Sequence, residues 1–252
     1  MPYGLYMSAE GAHAQSTRLE VISHNLANVE TTGFKRELAI IQTRYAEGIE
    51  EGIVDPDTGE IEDIGGGVEV IATQTDHAPG PLKDTGLPTD LAIRGEGFFV
   101  VSKDDEQFLT RAGDFMVNVK GELVTQYGGQ QYHVLDDSMS PIVLDREAPW
   151  EFTVSGAVKQ AGAETNLALV KPQSYGDLAR FGENVFRPLA ETVSLTPAER
   201  SVAPGYLEGS GVQPTTEMVA MIEASRLLEA NLNMMQTQDE MLDGLVNRLM
   251  RV

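Results

Sequence analysis

The spacing of apolar positions changes twice along this 252-residue chain. Near the start, Leu5, Ala9, Ala12, Leu19, Ile22, Leu26 and Val29 are separated by three, four or seven residues. That is one stripe of an amphipathic helix, here narrow and weakened by Gly4 and Gly11. Near the end, Met218, Met221, Ser225, Leu228, Leu232, Met235, Asp239, Leu242, Val246 and Leu249 step by three and four without interruption. This is a heptad seam, the pattern of a helix that packs lengthwise along other helices. Pro214 suits its first position, Glu217 the positive end of its dipole, and Arg248 and Arg251 the negative end.

Between the two stripes the period becomes two. From Gly97 to Asp136, short β-prone runs alternate with turn signals at Lys103-Asp104-Asp105, Ala112-Gly113-Asp114, Lys120-Gly121 and Gly128-Gly129. Further strands are predicted through PIVLD, WEFTVSGAVKQ and ETNLALVK, with Pro188 and Pro197 marking the return to the last helix. The pattern predicts an α+β chain. Its N- and C-terminal helices, 1–36 and 212–252, pair as a coiled-coil-like domain; 37–70 is a connecting segment, and 71–211 is a central antiparallel β domain.

Composition narrows the function. Against 39 acidic side chains stand only 18 basic ones, a formal charge of -21 that repels nucleic-acid phosphates and anionic lipid surfaces. Eight of those acids lie between Glu47 and Asp63, with no base among them, which reads as a loop ordered by a partner or by nothing. There is no cysteine, so disulfides and thiolate metal sites are excluded. No run is long and apolar enough to predict a membrane span, and the first residues lack the pattern of a cleavable signal. His13, His24, His77 and His133 are scattered, and Gly65-Gly66-Gly67 lacks the Lys and Ser or Thr of a phosphate loop. Neither an enzyme nor a cofactor or metal is expected.

The two helices have little to bury on their own. Each carries one stripe, and the first is rich in Ala and Ser, so neighbouring chains must supply the missing surface. Asn25 and Asn28 sit among Leu26, Ala27 and Val29, where a core-facing helix carries apolar residues. Either they hydrogen-bond to neighbouring backbones and fix register, or they face solvent or cap the helix before Gly33. The expected subunit interface comprises Leu5, Leu19, Ile22, Asn25, Leu26, Asn28, Met221, Leu228, Leu232, Met235, Leu242, Val246 and Leu249.

Three blocks then carry a resemblance. Residues 22–29, ISHNLANV, followed by Thr31-Thr32-Gly33-Phe34-Lys35-Arg36, resemble the N-terminal signature of bacterial flagellar rod and hook proteins. Residues 91–101, LAIRGEGFFVV, with Thr110 to Phe115 and Gly121 to Val124, resemble the central β signature of that family. Gly205 to Ser210, followed by Met218 to Leu249, resemble its C-terminal signature. Thr32, Gly211 and Leu228 depart from the family's usual proline, asparagine and aromatic residue. The resemblance implies a structural subunit exported through the flagellar type III apparatus to the basal body, in the periplasmic space. There its terminal helices would line a hollow helical shaft built with copies of itself and other rod and hook proteins. The chain is too short for the outer domain of a hook subunit, and MVAMIEASRLLEANLNMM favours a proximal over a distal rod protein. A soluble β-domain binding module is the alternative of a different class; it leaves the two long helices unexplained.

Overall fold

The structure, a computed structural model, describes residues 3–45, 49, 65–104, 106–125, 131–182 and 184–250. The acidic stretch Glu47 to Asp63 therefore lies outside the described residues apart from Ile49, as does Gly128-Gly129. The chain forms two compact units, one of Met1–Ala27, Glu37–Asp76 and Gln213–Val252, the other of Asn28–Arg36 and His77–Val212.

The first unit is built on α1 (Tyr3–Ala27) and α2 (Pro214–Leu249). Pro214 occupies the first turn of α2, with Glu217 beside it and Arg248 in the last turn, as their dipole preferences predict. An antiparallel ribbon of β1 (Glu37–Arg44) and β2 (Gly67–Thr75) completes the unit, with a register shift between Ile40 and Ile41. Sequence reading missed this ribbon. Its strands lack clean alternation, and both are largely exposed, Leu38, Ile40 and Ile71 included. Helix α1 packs against α2 on one side and against the ribbon on another. No helix among the described residues is long and apolar enough to cross a membrane.

The second unit is antiparallel β. Among the described residues its main sheet runs Leu178–Arg180, Val185–Pro188, Glu106–Thr110, Phe98–Lys103, His133–Val134, Leu123–Thr125 and Phe115–Val117, with Leu169–Pro172 also pairing to Phe98–Lys103. Alternation along Phe98–Lys103 splits the core. Phe99 and Val101 join Phe108, Phe115 and Leu123 on one face, while Phe98 and Val100 join Leu109 and Phe186 on the other. Both faces are dry, so this strand is buried throughout its first four residues. Each such side chain contributes about 1.5–3 kcal/mol on burial. WEFTVSGAVKQ and ETNLALVK do contain strands: Trp150–Phe152 and Ala157–Gln160 form a hairpin, joined by Ala163–Asn166. PIVLD is not a strand: Pro141 and Val143 make isolated bridges only, and the backbone bonds of Ile142 and Leu144 are divided between Leu123 and Gly121 on one side and Val134 on the other. Nor does Ala112-Gly113-Asp114 turn a hairpin. Gly113 passes so close to Leu91 that an added Cβ would overlap the Leu91 carbonyl oxygen.

Candidate functional site

Helix α2 does not pack along its most apolar flank. Its less exposed positions are Glu217, Met221, Ala224, Leu228, Asn231, Met235 and Gln238, with Ala220 and Ser225 beside them. Met221, Leu228 and Met235 are the expected seam positions. The alternate positions have moved by one residue, from Met218, Ser225, Leu232 and Asp239 to Glu217, Ala224, Asn231 and Gln238. The physical reason lies on α1. Cβ atoms added at Gly4 and Gly11 would stand 2.9 Å from the Gln238 amide nitrogen and 3.1 Å from that of Asn231. Glycines and amides one heptad apart on each helix thus meet in antiparallel order, and the glycines that weaken the α1 stripe admit the α2 side chains. The seam is costly: Oε1 of Gln15 and of Gln238 are buried without a hydrogen-bond partner in the structure, at about 1–3 kcal/mol each. Meanwhile Met218, Leu232, Leu242 and Val246 are exposed.

Asn25 is buried, and its amide clips the start of β1. Its Nδ2 donates to the Glu37 carbonyl at 2.8 Å, and the Glu37 amide donates to its Oδ1 at 2.9 Å. A two-point bond to one residue fixes where the ribbon leaves the helix. His24 Nδ1 lies 3.2 Å from the Glu37 carboxylate. Asn28 is also buried and accepts from Thr31, through its carbonyl from the amide at 3.2 Å and through Oδ1 from the hydroxyl at 3.1 Å.

Within the β unit, residues 28–36 thread into a buried charge cluster. Lys35 Nζ donates to Glu208 Oε1 at 2.6 Å and to the Ala78 carbonyl at 2.8 Å. Arg111 donates to Glu208 Oε2 at 3.2 Å and to the Gly95 carbonyl at 2.6 Å. All three side chains are 1–3% exposed. The Gly80 amide donates to the same carboxylate, and the Gly33 amide to the Glu208 carbonyl. Gly33 has a φ of 67°, and a Cβ there would collide with the Ala112 nitrogen, so only glycine brings Phe34 and Lys35 inward. The guanidinium of Arg180 covers the Phe34 ring at 4.6 Å and donates to the Lys35 carbonyl.

Close to the same strands, Asp90 and Asp114 form an isolated bridge. Burial, reinforced by the Asp90 charge against a backbone hydrogen bond that opposes it, lifts the Asp114 carboxyl from 3.8 to about 6. Asp90 itself accepts from the Thr85 hydroxyl at 2.6 Å. Among the described residues no group of His, Asp and Glu has the arrangement of a metal site.

Lys35, Arg111 and Glu208 come from three stretches of sequence, and the comparisons with known proteins fall on the same three. The family model for "Flagella basal body rod protein" matches residues 5–35, that for "Flagellar hook protein FlgE/F/G D1 domain" residues 92–159, and that for "Flagellar basal body rod FlgEFG protein C-terminal" residues 203–249. The flagellar basal-body rod protein FlgF of Caulobacter vibrioides is 31% identical over the whole length of both chains. The chain belongs to the flagellar basal-body rod protein family. Relatives named FlgG are similar to the same degree: that of Agrobacterium fabrum is 32% identical over 94% of this chain and 95% of its own, and that of Bacillus subtilis 30% over 96% and 97%. These are structural rod proteins and not enzymes.

For a rod-family chain the expected interface residues divide into three groups. Ile22, Asn25 and Asn28 are buried; Leu5, Leu19, Leu26, Met221, Leu228 and Met235 are half-buried; Leu232, Leu242 and Val246 are exposed, and Leu249 ends α2. Sequence reasoning quoted Lys35, Arg111 and Glu208 only as parts of signatures and missed that they meet. The available signal was that each block sets a charge close to glycine and apolar residues.

Proposed function

We propose that this chain is a structural subunit of the basal-body rod, which self-assembles through its terminal helices into a hollow helical shaft that transmits torque. The observation that carries the reading is the pair of faces on α2. The face on which Glu217, Ala224, Asn231 and Gln238 alternate with Met221, Leu228 and Met235 is used inside the chain, while Met218, Leu232, Leu242 and Val246 remain in water, about half exposed in the case of Leu232 and Val246. Large apolar side chains repeated along one helix mark a surface that awaits a protein partner. The coiled-coil-like packing of α1 with α2, delivery through the type III export apparatus, a periplasmic position and a place in the proximal rod belong to the same reading. The half-buried Leu5, Leu19 and Leu26 on α1 and Met221, Leu228 and Met235 on α2 support the internal pair, and the exposed positions support contacts with copies of the chain and with other rod and hook proteins.

Substitution of Leu232 by Asp tests this. The variant monomer should melt as the wild type does, since Leu232 is 45% exposed. In cells that lack the wild-type copy it should be absent from purified basal bodies, and motility should be lost. Normal rods built from Leu232→Asp would contradict assembly through α2.

A further inference from the structure

In the β unit two backbone edges begin to pair and then part. The Val202 amide donates to the Val154 carbonyl at 2.9 Å, just beyond the Trp150–Phe152 strand. On its other side Val202–Pro204 pairs with Leu91–Ile93. Two residues along, where the next bond toward Trp150–Phe152 is due, stands Pro204, which has no N–H to donate. Gly205 then takes a φ of 78° and turns the chain. Between the parted edges lies a cleft of about 730 Å³, with Trp150 to Val154 on one side, Pro204 to Tyr206 on another, and Asp84 and Lys159 among the rest of its lining. Its size is that of a ligand-binding cleft. Trp150–Phe152 is the end strand of its sheet. Glu151 stands opposite Lys159, and the Thr153 amide donates to the Ala157 carbonyl, so 151 and 153 direct their peptide groups to the neighbouring strand. Those of Trp150 and Phe152 point the other way, on the side of the Val154 carbonyl, and no strand among the described residues pairs with them.

We propose that this cleft binds an extended, basic segment of another protein, which adds a strand to the free edge at Trp150 and Phe152 and presents Lys or Arg to Glu151 and Asp84. Peptide backbone is the chemistry that answers donors and acceptors spaced along a strand edge, and pockets for alternate side chains then give specificity. Half-buried Trp150, edge-on to Phe152 at 5.6 Å, and half-buried Tyr206 and Pro204 supply the apolar contacts for those side chains. Charge selects the segment. Lys159 lies opposite Glu151 and 3.9 Å from Glu164, whereas Glu151 and Asp84 are exposed, so the excess at the cleft is negative. The chain's own stretch Glu47 to Asp63 has eight acids and no base, the wrong sign for this site. The surface belongs to the β unit alone and does not depend on assembly through α2.

Trp150 is the only tryptophan in the chain, so its fluorescence reports on the cleft. The full chain is titrated with capped hexapeptides of alternating Lys and Val, of alternating Glu and Val, and of Lys and Val methylated on every backbone nitrogen so that no amide can donate. The expected result is a saturable change with the Lys–Val peptide and affinity at least about tenfold weaker for the other two. The methylated peptide keeps its charge, so equal binding by it would reduce the effect to general attraction toward a chain of net charge -21 and overturn the proposal. No saturable response to the Lys–Val peptide at millimolar concentration overturns it as well. So does a tighter response to cellotriose, whose sugar rings would use the Trp150 face and the carboxylates but no strand edge. A peptide of residues 47–63 that binds as tightly as the Lys–Val peptide overturns the choice of a basic partner in favour of a second copy. Glu151→Lys, at an exposed position, should leave melting unchanged and weaken the Lys–Val peptide at least about fivefold; unchanged affinity in that variant overturns the charge contact.

Discussion

The β unit and the helical unit bury opposite kinds of residue. In the β unit Phe34, Phe98, Phe99, Leu109, Leu123, Leu169 and Phe186 are all but inaccessible, and the buried charges of Lys35, Arg111 and Glu208 are paired. In the helical unit the buried apolar residues are Ala12, Ala14, Val21, Ile22 and Ala224, among the described residues, while Ile71, Ile222, Met234 and Val246 are about half exposed. One unit holds enough dry surface to be stable alone. The other leaves much of its large apolar surface in water and sets glycine, asparagine and glutamine beside Met221, Leu228 and Met235 in its internal seam. Stability and assembly are therefore assigned to different parts of the chain, and substitutions should separate them.

The largest effect should come from Glu208. Replacing it with Gln leaves Lys35 and Arg111 buried without an anion and should lower the unfolding free energy of the β unit by about 3–5 kcal/mol in urea. Lys35→Met, by contrast, leaves a neutral Arg111–Glu208 pair and should cost less, about 1–3 kcal/mol. Equal losses from the two would show that the cluster acts through packing rather than through its charge balance.

Asp114 should make the β unit sensitive to pH. Its carboxyl titrates near 6 in the folded chain against 3.8 ordinarily, so the folded state holds a proton that the unfolded state has released. That contribution is complete below pH 3.8 and is lost as pH rises through 6. Stability of the β unit should therefore decline across that window by an amount on the order of 2 kcal/mol, and Asp114→Asn should flatten the decline. An unchanged pH profile in the variant would place the titration elsewhere.

How far these features were legible in the sequence depends on what each rests upon. The helices and the hairpins of the β unit follow from period and turn chemistry, which are local. Asp104 and Gly121 take positive φ where Lys103-Asp104-Asp105 and Lys120-Gly121 were read as turns. The Lys35–Arg111–Glu208 cluster was not legible because its members are 76 and 97 positions apart in sequence, and nothing local says that these three charges converge. The true seam of α2 was half legible. Hydrophobicity selects Met218 and Leu232, but the choice between flanks is made by Gly4 and Gly11 on another helix. Asn25 was legible as an oddity, and its partner, the Glu37 backbone, became visible only with the fold.

Smaller effects sharpen the contrast within the helical unit. Asn25→Ala removes both hydrogen bonds to Glu37 and should loosen the ribbon by about 1–3 kcal/mol, seen as faster amide exchange over 37–44 with no change in the melting of the β unit. Met234→Asp should alter monomer stability by no more than about 0.5 kcal/mol, since the side chain is 54% exposed, while it abolishes incorporation into rods. A folded monomer strongly destabilised by Met234→Asp would mean that this flank already has a partner within the chain.

Amide hydrogen exchange on the full chain, measured once as a verified monomer and once in assembled rods, bears most directly on the division of labour between the units. In the monomer, α1 and α2 should exchange orders of magnitude faster than Phe98–Lys103 and Glu106–Thr110, because local opening of the helices exposes little buried apolar surface. In rods the helices should become as protected as the sheet. Helices as slow to exchange as the sheet in the monomer would contradict the account, since the helical unit would then be stable without neighbours.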